Sequence, residues 1–285
     1  MKITRQICSL FALALSLAAF SAPGFAATLP LNQPEGLALD AAGNLYVANH
    51  GGDEVLIYNS SYAQKSSITQ GIGGPAGVAI DPYGNLWVAN ELNENVTEYI
   101  KGKQNASATI TEGLGAPDSL VVDGLDNLWV LNGELNVTIY SPTAVYAPPS
   151  KLVQKIGPSG GVQAIAVGAG AFLHADGDDS NLFLESASAI LQGEPLNGAA
   201  FGFTATALAP DDKGNVYGVN PANRIVFKAL PNSTAINIVT LPATATVVFG
   251  MAVDNARGRV YISDFDNGKI FVYSTAGKLI HTIHN

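Results

Sequence analysis

The sequence repeats itself, and this repeat limits the possible fold more than any other feature. The stretch PEGLALDAAGNLYVAN, residues 34–49, recurs 41 residues later as PAGVAIDPYGNLWVAN, residues 75–90. The aspartate of its D-x-x-G-N motif recurs at Asp40, Asp81, Asp123, Asp211 and Asp254, and a degenerate unit at 162–176 has Gly168 in that position. Six units of about 43 residues therefore follow the N-terminal segment, a period typical of repeat architectures.

Each unit contains the pattern of four short strands. GLALD and NLYVAN flank the D-x-x-G-N turn, and a third apolar run such as EVLIY follows a polar loop. Apolar residues alternate with a period of two, which indicates half-buried strands. A less regular strand such as SSITQ closes the unit. The pattern predicts an all-β fold, a six-bladed β-propeller built from four-stranded antiparallel blades. We expect the blades at approximately 34–74, 75–115, 116–161, 162–203, 204–247 and 248–285.

The N-terminal segment has the features of a secretory signal peptide. Lys2 and Arg5 precede an apolar run from Ile7 to Phe20, and cleavage after Ala26 is expected. The single cysteine, Cys8, would leave with residues 1–26, so no disulfide is predicted. The segment therefore predicts a periplasmic or secreted protein whose propeller occupies residues 27–285.

The charge balance narrows the range of partners. Loss of the two basic residues of the signal would take the formal net charge from −9 to −11. An acidic surface repels nucleic acid and anionic membranes. No stretch is long enough for a comfortable membrane-spanning helix. We expect a monomer that does not bind nucleic acid or insert into membranes.

The D-x-x-G-N motif has two interpretations. Its polar groups could form cation loops, or it could be the hairpin turn between the first two strands. The residue types are those that a tight turn requires, because Asp accepts from nearby backbone N–H groups and Gly adopts positive φ. No bidentate ligand follows at calcium-loop spacing. The hairpin interpretation is favoured.

The loops between the second and third strands are acidic. If the first strand of each unit lines the channel, these loops share one face, the top face, opposite the D-x-x-G-N turns. Its acidic residues are Asp53, Glu54, Glu91, Glu94, Glu134, Asp176, Asp178, Asp179, Asp264 and Asp266. A focused negative field favours cationic ligands. Solvated loop charge without a function is the alternative.

The residue five positions before each repeat aspartate is expected at the top of an innermost strand, at the channel mouth. These mouth positions hold Glu35, Ala76, Asp118, Gln163, Thr206 and Phe249. Glu35, Asp118, Gln163 and Thr206 are the candidate ligand-binding residues. Oxygen ligands that converge on one axis can hold Ca²⁺ or Mg²⁺, so Glu35, Asp118 and Gln163 are also candidate metal ligands. His50, directly after the second strand, is a candidate catalytic acid or base.

The motif P-x-G-[LV]-A-[LI]-D-x-x-G-N-L-[YW]-V-A-N resembles NHL repeats, and weaker copies extend the resemblance over nearly the whole chain after the signal. The PEG and PDS stretches, with Glu35 and Asp118, are also similar to the metal-binding entrances of gluconolactonase and senescence-marker-like propellers. Ala76 and Phe249 depart from that pattern because they offer no ligand. The virginiamycin B lyase-like propellers, which use histidine with a metal at the mouth, are a further distant resemblance; no spaced His/Glu pair of that kind occurs in the sequence.

Two functions remain open from the sequence. The first is a non-catalytic module that binds a small-molecule or protein ligand through its acidic top face. The second is a divalent-metal-dependent lactonase or lyase with its site at the top of the central channel. In the second case a bound metal would polarise the substrate carbonyl.

Overall fold

The structure is a computed structural model that describes residues 29–133, 136–140, 151–153, 162–168, 171–176, 181–186, 199–200, 204–229 and 235–284. Within 151–163 and 168–203 the strands are described without their side chains. The described residues form 24 strands and one short 3₁₀ helix at His50–Gly52. No helix in this described part of the chain has the length and apolar character needed to cross a membrane.

The strands follow one another in groups of four. The first twelve are β1 Pro34–Leu39, β2 Leu45–Asn49, β3 Glu54–Tyr58, β4 Gln64–Ile68, β5 Pro75–Ile80, β6 Leu86–Asn90, β7 Asn95–Tyr99, β8 Ala108–Ile110, β9 Pro117–Val122, β10 Leu128–Asn132, β11 Asn136–Tyr140 and β12 Lys151–Val153. The second twelve are β13 Val162–Gly168, β14 Ala171–Asp176, β15 Asn181–Ser186, β16 Ala199–Ala200, β17 Ala207–Pro210, β18 Val216–Asn220, β19 Ile225–Ala229, β20 Ala235–Thr240, β21 Met251–Asp254, β22 Arg259–Asp264, β23 Lys269–Ser274 and β24 Leu279–Ile283.

Each group of four is an antiparallel sheet in sequence order, so the molecule is an all-β propeller of four-stranded antiparallel blades. The first strands of the sheets contact one another in the closed order β1, β5, β9, β13, β17, β21 and back to β1. They surround the central channel, as expected for the first strand of each repeat unit.

The predicted number of six blades needs a correction. Five blades are recognised in the molecule, not six, although the strands form six four-stranded sheets. The least regular sheet is that of the fourth repeat, where β16 has two residues. This is the degenerate unit of the sequence, in which Gly168 replaces the turn aspartate and removes the side chain that orders the other hairpins.

The D-x-x-G-N motif is a hairpin turn, as favoured from the sequence. In the second repeat, Asp81 Oδ1 accepts hydrogen bonds from the backbone N–H groups of Tyr83 and Asn85 at 2.9 and 2.8 Å. Asp81 Oδ2 accepts from Asn85 Nδ2 at 2.8 Å. Gly84 has φ +88°, which a side chain would strain. In the third repeat, Asp126 takes this position with φ +66°. The carboxylate of each motif is thus occupied by its own turn.

A buried asparagine ends the second strand of the first three sheets. Asn90 Oδ1 accepts from Gly73 N at 3.3 Å, and its Nδ2 donates to Thr97 Oγ1 at 3.1 Å. Asn49 and Asn132 make the equivalent bonds to Asn32 N and Gly115 N. Each asparagine therefore ties the chain that enters its sheet to the end of the second strand, on the top face.

The core lies between neighbouring sheets. One cluster joins the first and last sheets through buried residues that include Leu37, Val47, Tyr261 and Val272. β24 pairs with β23, so the last sheet is completed by its own segment of chain. Leu31 is buried in the same cluster without forming a strand.

Candidate functional site: the channel mouth

A β-bulge places the mouth residue in each of the first four sheets. The pairing of β5 with β6 passes from Pro75–Asn90 to Gly77–Ala89, so Ala76 is the extra residue. The same shift occurs at Asp118 and at Gln163, and a bulge spans Glu35 and Gly36. Bulges redirect a side chain out of the regular alternation and are frequent beside functional sites. The mouth position, whose residue type varies most between repeats, is therefore also the position that has no partner in the regular pairing of the two strands.

Small residues after the bulge let the innermost strands approach closely. A Cβ on Gly36 would meet the carbonyl oxygen of Ala76, and a Cβ on Gly77 would meet the backbone of Ser119. A Cβ on Gly250 would overlap the carbonyl oxygen of Glu35, which joins the last sheet to the first. The glycine of the P-x-G motif thus lets the innermost strands form a narrower ring around the channel at the level of the mouth.

The channel contains a cavity of about 360 Å³. Glu35, Asp118, Thr206 and Phe249 lie around it at mouth positions. Further along the six innermost strands the lining is mostly apolar, with Leu37, Val78, Leu120, Leu208 and Met251 among its members. A volume of this size suits a small organic ligand.

Glu35 is a buried carboxyl group at the mouth with a strongly raised pKa. The residue is 8% exposed. Among the described residues, no side chain or backbone group hydrogen-bonds its carboxyl. Burial, together with the negative charges of Asp118 and Glu91, raises the pKa of Glu35 to about 9. Among the described residues no cation pairs with Glu35, so Glu35 is protonated at neutral pH in the unliganded protein.

His50 and two aromatic rings form the side of the mouth near the first and last sheets. His50 Nε2 lies 3.3 Å from Glu91 Oε2, whose side chain is 43% exposed. His50 Nδ1 is buried and has no hydrogen-bond partner among the described atoms. The ring of Phe265 lies 6.1 Å from the His50 ring and 5.3 Å from the ring of Phe249, centroid to centroid. The mouth therefore combines an acidic side with an aromatic side.

Several acidic residues of the top face have structural partners. Asp53 Oδ1 accepts from Gly74 N at 2.8 Å. Buried Glu54 accepts from Asn49 Nδ2 at 2.7 Å, and buried Asp264 accepts from Asn267 Nδ2 at 2.9 Å. These groups hold loops together. Glu134, Asp178 and Asp179 lie outside the described residues.

The structure brings together most of the predicted site residues. Glu35, Asp118 and Thr206 line the same cavity, and His50 is linked to it through Glu91, whose charge acts on Glu35. Gln163 lies in β13, and its side chain is outside the described part. Whether these residues bind a ligand stays a prediction.

The described side chains do not assemble a metal centre. Among them, no group of three His, Cys, Asp or Glu side chains is arranged to hold a metal ion. Glu35 and Asp118 are two carboxyl groups, and Ala76 and Phe249 offer no ligand at their mouth positions.

Two members of the mouth were missed by sequence reasoning. In the sequence, Phe249 is a mouth position without a ligand atom and Glu91 is one of many acidic loop residues, so neither stands out. The contact between His50 and Glu91 joins loops 41 residues apart. The repeat itself contained this signal, because His50 and Glu91 follow the VAN of consecutive units at equivalent positions.

Comparisons with known proteins support the fold. No family model and no curated protein matches the sequence. A streptogramin B lyase structure is similar with a TM-score of 0.65 and 9% identity, over 90% of this chain and 85% of that one. The virginiamycin B lyase from Staphylococcus aureus is similar with a TM-score of 0.64 and 9% identity, over 88% and 86%. At this identity the likeness shows a propeller fold alone. It gives no support to the NHL-repeat assignment.

Proposed function

We propose that this protein is a ligand-binding propeller whose site is the channel mouth on the acidic face, where a cationic group of the ligand lies beside Glu35. One observation carries the proposal. Glu35 is a buried carboxyl group that faces the cavity without a described hydrogen-bond donor.

The physical reason is the cost of an unpaired buried charge. A carboxylate taken out of water is strongly destabilised unless a cation or donors accompany it. Asp118 and Glu91 add repulsion at Glu35. A bound cation offsets both effects and lowers the pKa of Glu35, so binding near neutral pH is coupled to proton release.

Calorimetric titration tests this proposal, with calcium chloride, magnesium chloride and n-butylammonium chloride as separate probes. We expect at least one cation to bind and to release close to one proton near pH 7, read from titrations in buffers of different ionisation enthalpy. The Glu35→Gln variant is expected to lose the proton release and weaken binding at least about tenfold, because the pair of charges is gone. Glu94→Gln is the matched control, since Glu94 is an exposed acidic residue of the same face.

Two results would overturn the proposal. One is that no probe binds at millimolar concentration. The other is that Glu94→Gln weakens binding as much as Glu35→Gln, which would reduce the effect to the general negative field of the face.

A second candidate function is a lyase or lactonase, the alternative from the sequence, and the contact between His50 and Glu91 favours it. Glu35 holds a proton close to the cavity, and the imidazole of His50 lies 3.3 Å from Glu91, whose charge acts on Glu35. General acid–base catalysis uses positioned carboxyl and imidazole side chains of this kind. The similar structures are described as streptogramin B and virginiamycin B lyases.

Virginiamycin B and a panel of simple lactones, each assayed with and without Mg²⁺ or Ca²⁺, test this candidate. Ring opening by the wild type that falls at least about a hundredfold in both Glu35→Gln and His50→Gln would support it. Equal rates in the wild type and both variants would exclude these residues from any such reaction.

We further propose that the protein acts in the periplasm or outside the cell as a monomer. The signal-like N-terminus and the acidic composition support this environment.

A further inference from the structure

An exposed aromatic ring, that of Phe249, and a buried acid, Glu35, line the same cavity. Phe249 is 43% exposed, although it lines the channel. The next residue, Gly250, lies against the backbone of Glu35, so the segment before β21 that carries Phe249 is in backbone contact with β1 at Glu35. What distinguishes Phe249 from the other exposed apolar residues of the described chain is that its exposed ring lies at the rim of the channel cavity.

The position of this ring is fixed by its neighbours. The rings of Phe249 and Phe265 meet edge to face, at 5.3 Å and an interplanar angle of 86°. Phe265 is held by a hydrogen bond from its backbone N–H to the carbonyl oxygen of Val247 at 2.9 Å. The exposed surface of Phe249 is thus presented by a supported pair of rings.

The two sides of the mouth attract the same chemical group. An ionised carboxylate is an acceptor with no hydrogen of its own, and an ammonium group offers N–H donors as well as charge. An aromatic face attracts an organic cation through its quadrupole. A hard metal ion such as Ca²⁺ prefers six to eight oxygen ligands and gains little from a phenyl ring.

We propose that the cation recognised at the mouth is a protonated organic amine, with its ammonium group between Glu35 and Phe249 and its apolar substituent in the channel. This inference rests on the proposed function and names its ligand class. Leu37, Leu120 and Met251 supply an apolar lining for the substituent. The cavity of about 360 Å³ accommodates a short alkyl or aryl group.

The test compares n-butylammonium with its neutral analogue 1-butanol and with Ca²⁺ and Mg²⁺, by NMR titration of the full mature chain. We expect n-butylammonium to bind and 1-butanol to fail at equal concentration. Phe249→Leu keeps an apolar side chain but removes the ring. It is expected to weaken n-butylammonium between about 3-fold and about 30-fold, the range of a cation–π contact. Tyr83→Leu is the control, because Tyr83 is an exposed ring on the opposite face.

The outcomes separate this inference from the proposed function. If Ca²⁺ or Mg²⁺ binds in a Glu35-dependent manner and n-butylammonium does not, the site is real and the amine assignment is wrong. If 1-butanol binds as well as n-butylammonium, the cavity is only an apolar pocket and the amine assignment is wrong. If Phe249→Leu has no more effect than Tyr83→Leu, the ring plays no part. If no cation binds, both proposals fail.

Discussion

The carboxyl group of Glu35 titrates far above the range usual for glutamate, and this affects stability as well as binding. Its pKa in the folded protein is about 9, against about 4.3 in an unfolded chain. Between these values the folded state binds the extra proton. The contribution of Glu35 to stability is therefore fully present below the unfolded pKa and is lost as the pH rises toward about 9.

The Glu35→Gln variant isolates this effect. Relative to the wild type, it should become progressively more stable as the pH is raised from about 5 to about 8, because the amide never has to lose a proton. Urea denaturation of both proteins across this range gives the difference in unfolding free energy. A difference that stays constant with pH would show that Glu35 ionises as an ordinary glutamate.

At the scale of elements, the bulge and the glycine that follows it decide what the mouth can hold. The bulge releases one side chain from the ladder of the innermost strand. The glycine lets the neighbouring strand approach to backbone contact. Substituting the mouth residue therefore changes the chemical groups that a ligand meets. Substituting the glycine changes the packing of the innermost strands around the channel.

Gly250→Ala tests whether the glycine is needed for the close approach of the first and last sheets. The new Cβ would overlap the carbonyl oxygen of Glu35, and overpacking of this kind costs about 1–3 kcal/mol. Gly115→Ala is the control, because a Cβ at Gly115 meets nothing within 4 Å. The control should stay within about 0.5 kcal/mol of the wild type. Equal unfolding midpoints for both variants in urea would contradict the close approach at Gly250.

The elements also show what the sequence could and could not supply. The strands, their antiparallel order and the hairpin role of Asp81 followed from alternation and turn chemistry, which are local. The fourth sheet was harder, because the repeat loses its turn aspartate at Gly168. The link of His50 to Glu91 could have been found from their equivalent positions in consecutive repeats. The exposure of Phe249 depends on how sheets meet around the channel, and no local pattern determines that.

At the scale of the whole molecule, the ring closes where the first and last sheets meet. Among the described residues, β24 completes the last sheet, and side chains and close backbone packing make the junction with the first sheet. Arg257 Nη2 donates to the carbonyl oxygen of Ala42 at 2.9 Å, and Arg259 Nη1 donates to that of Ser60 at 3.0 Å. The rings of Tyr62 and His281 stack at 4.4 Å. Residues from the two ends of the chain thus share one interface.

Arg257→Gln should weaken this junction specifically. The variant loses the hydrogen bond to Ala42 and the ion pair with Asp254, for about 1 kcal/mol of unfolding free energy at this partly exposed site. Lys213→Gln is the matched control, because Lys213 is an exposed basic residue on the corresponding turn of the β17–β18 hairpin. Hydrogen exchange distinguishes a loss at the junction from a loss elsewhere: the amides of β1 and β24 should exchange faster in Arg257→Gln and at the wild-type rate in Lys213→Gln. If amide exchange in Arg257→Gln were accelerated evenly over all sheets, the junction would be no weaker than the other contacts between sheets. The propeller would then open by global unfolding and not at the place where its first and last sheets meet.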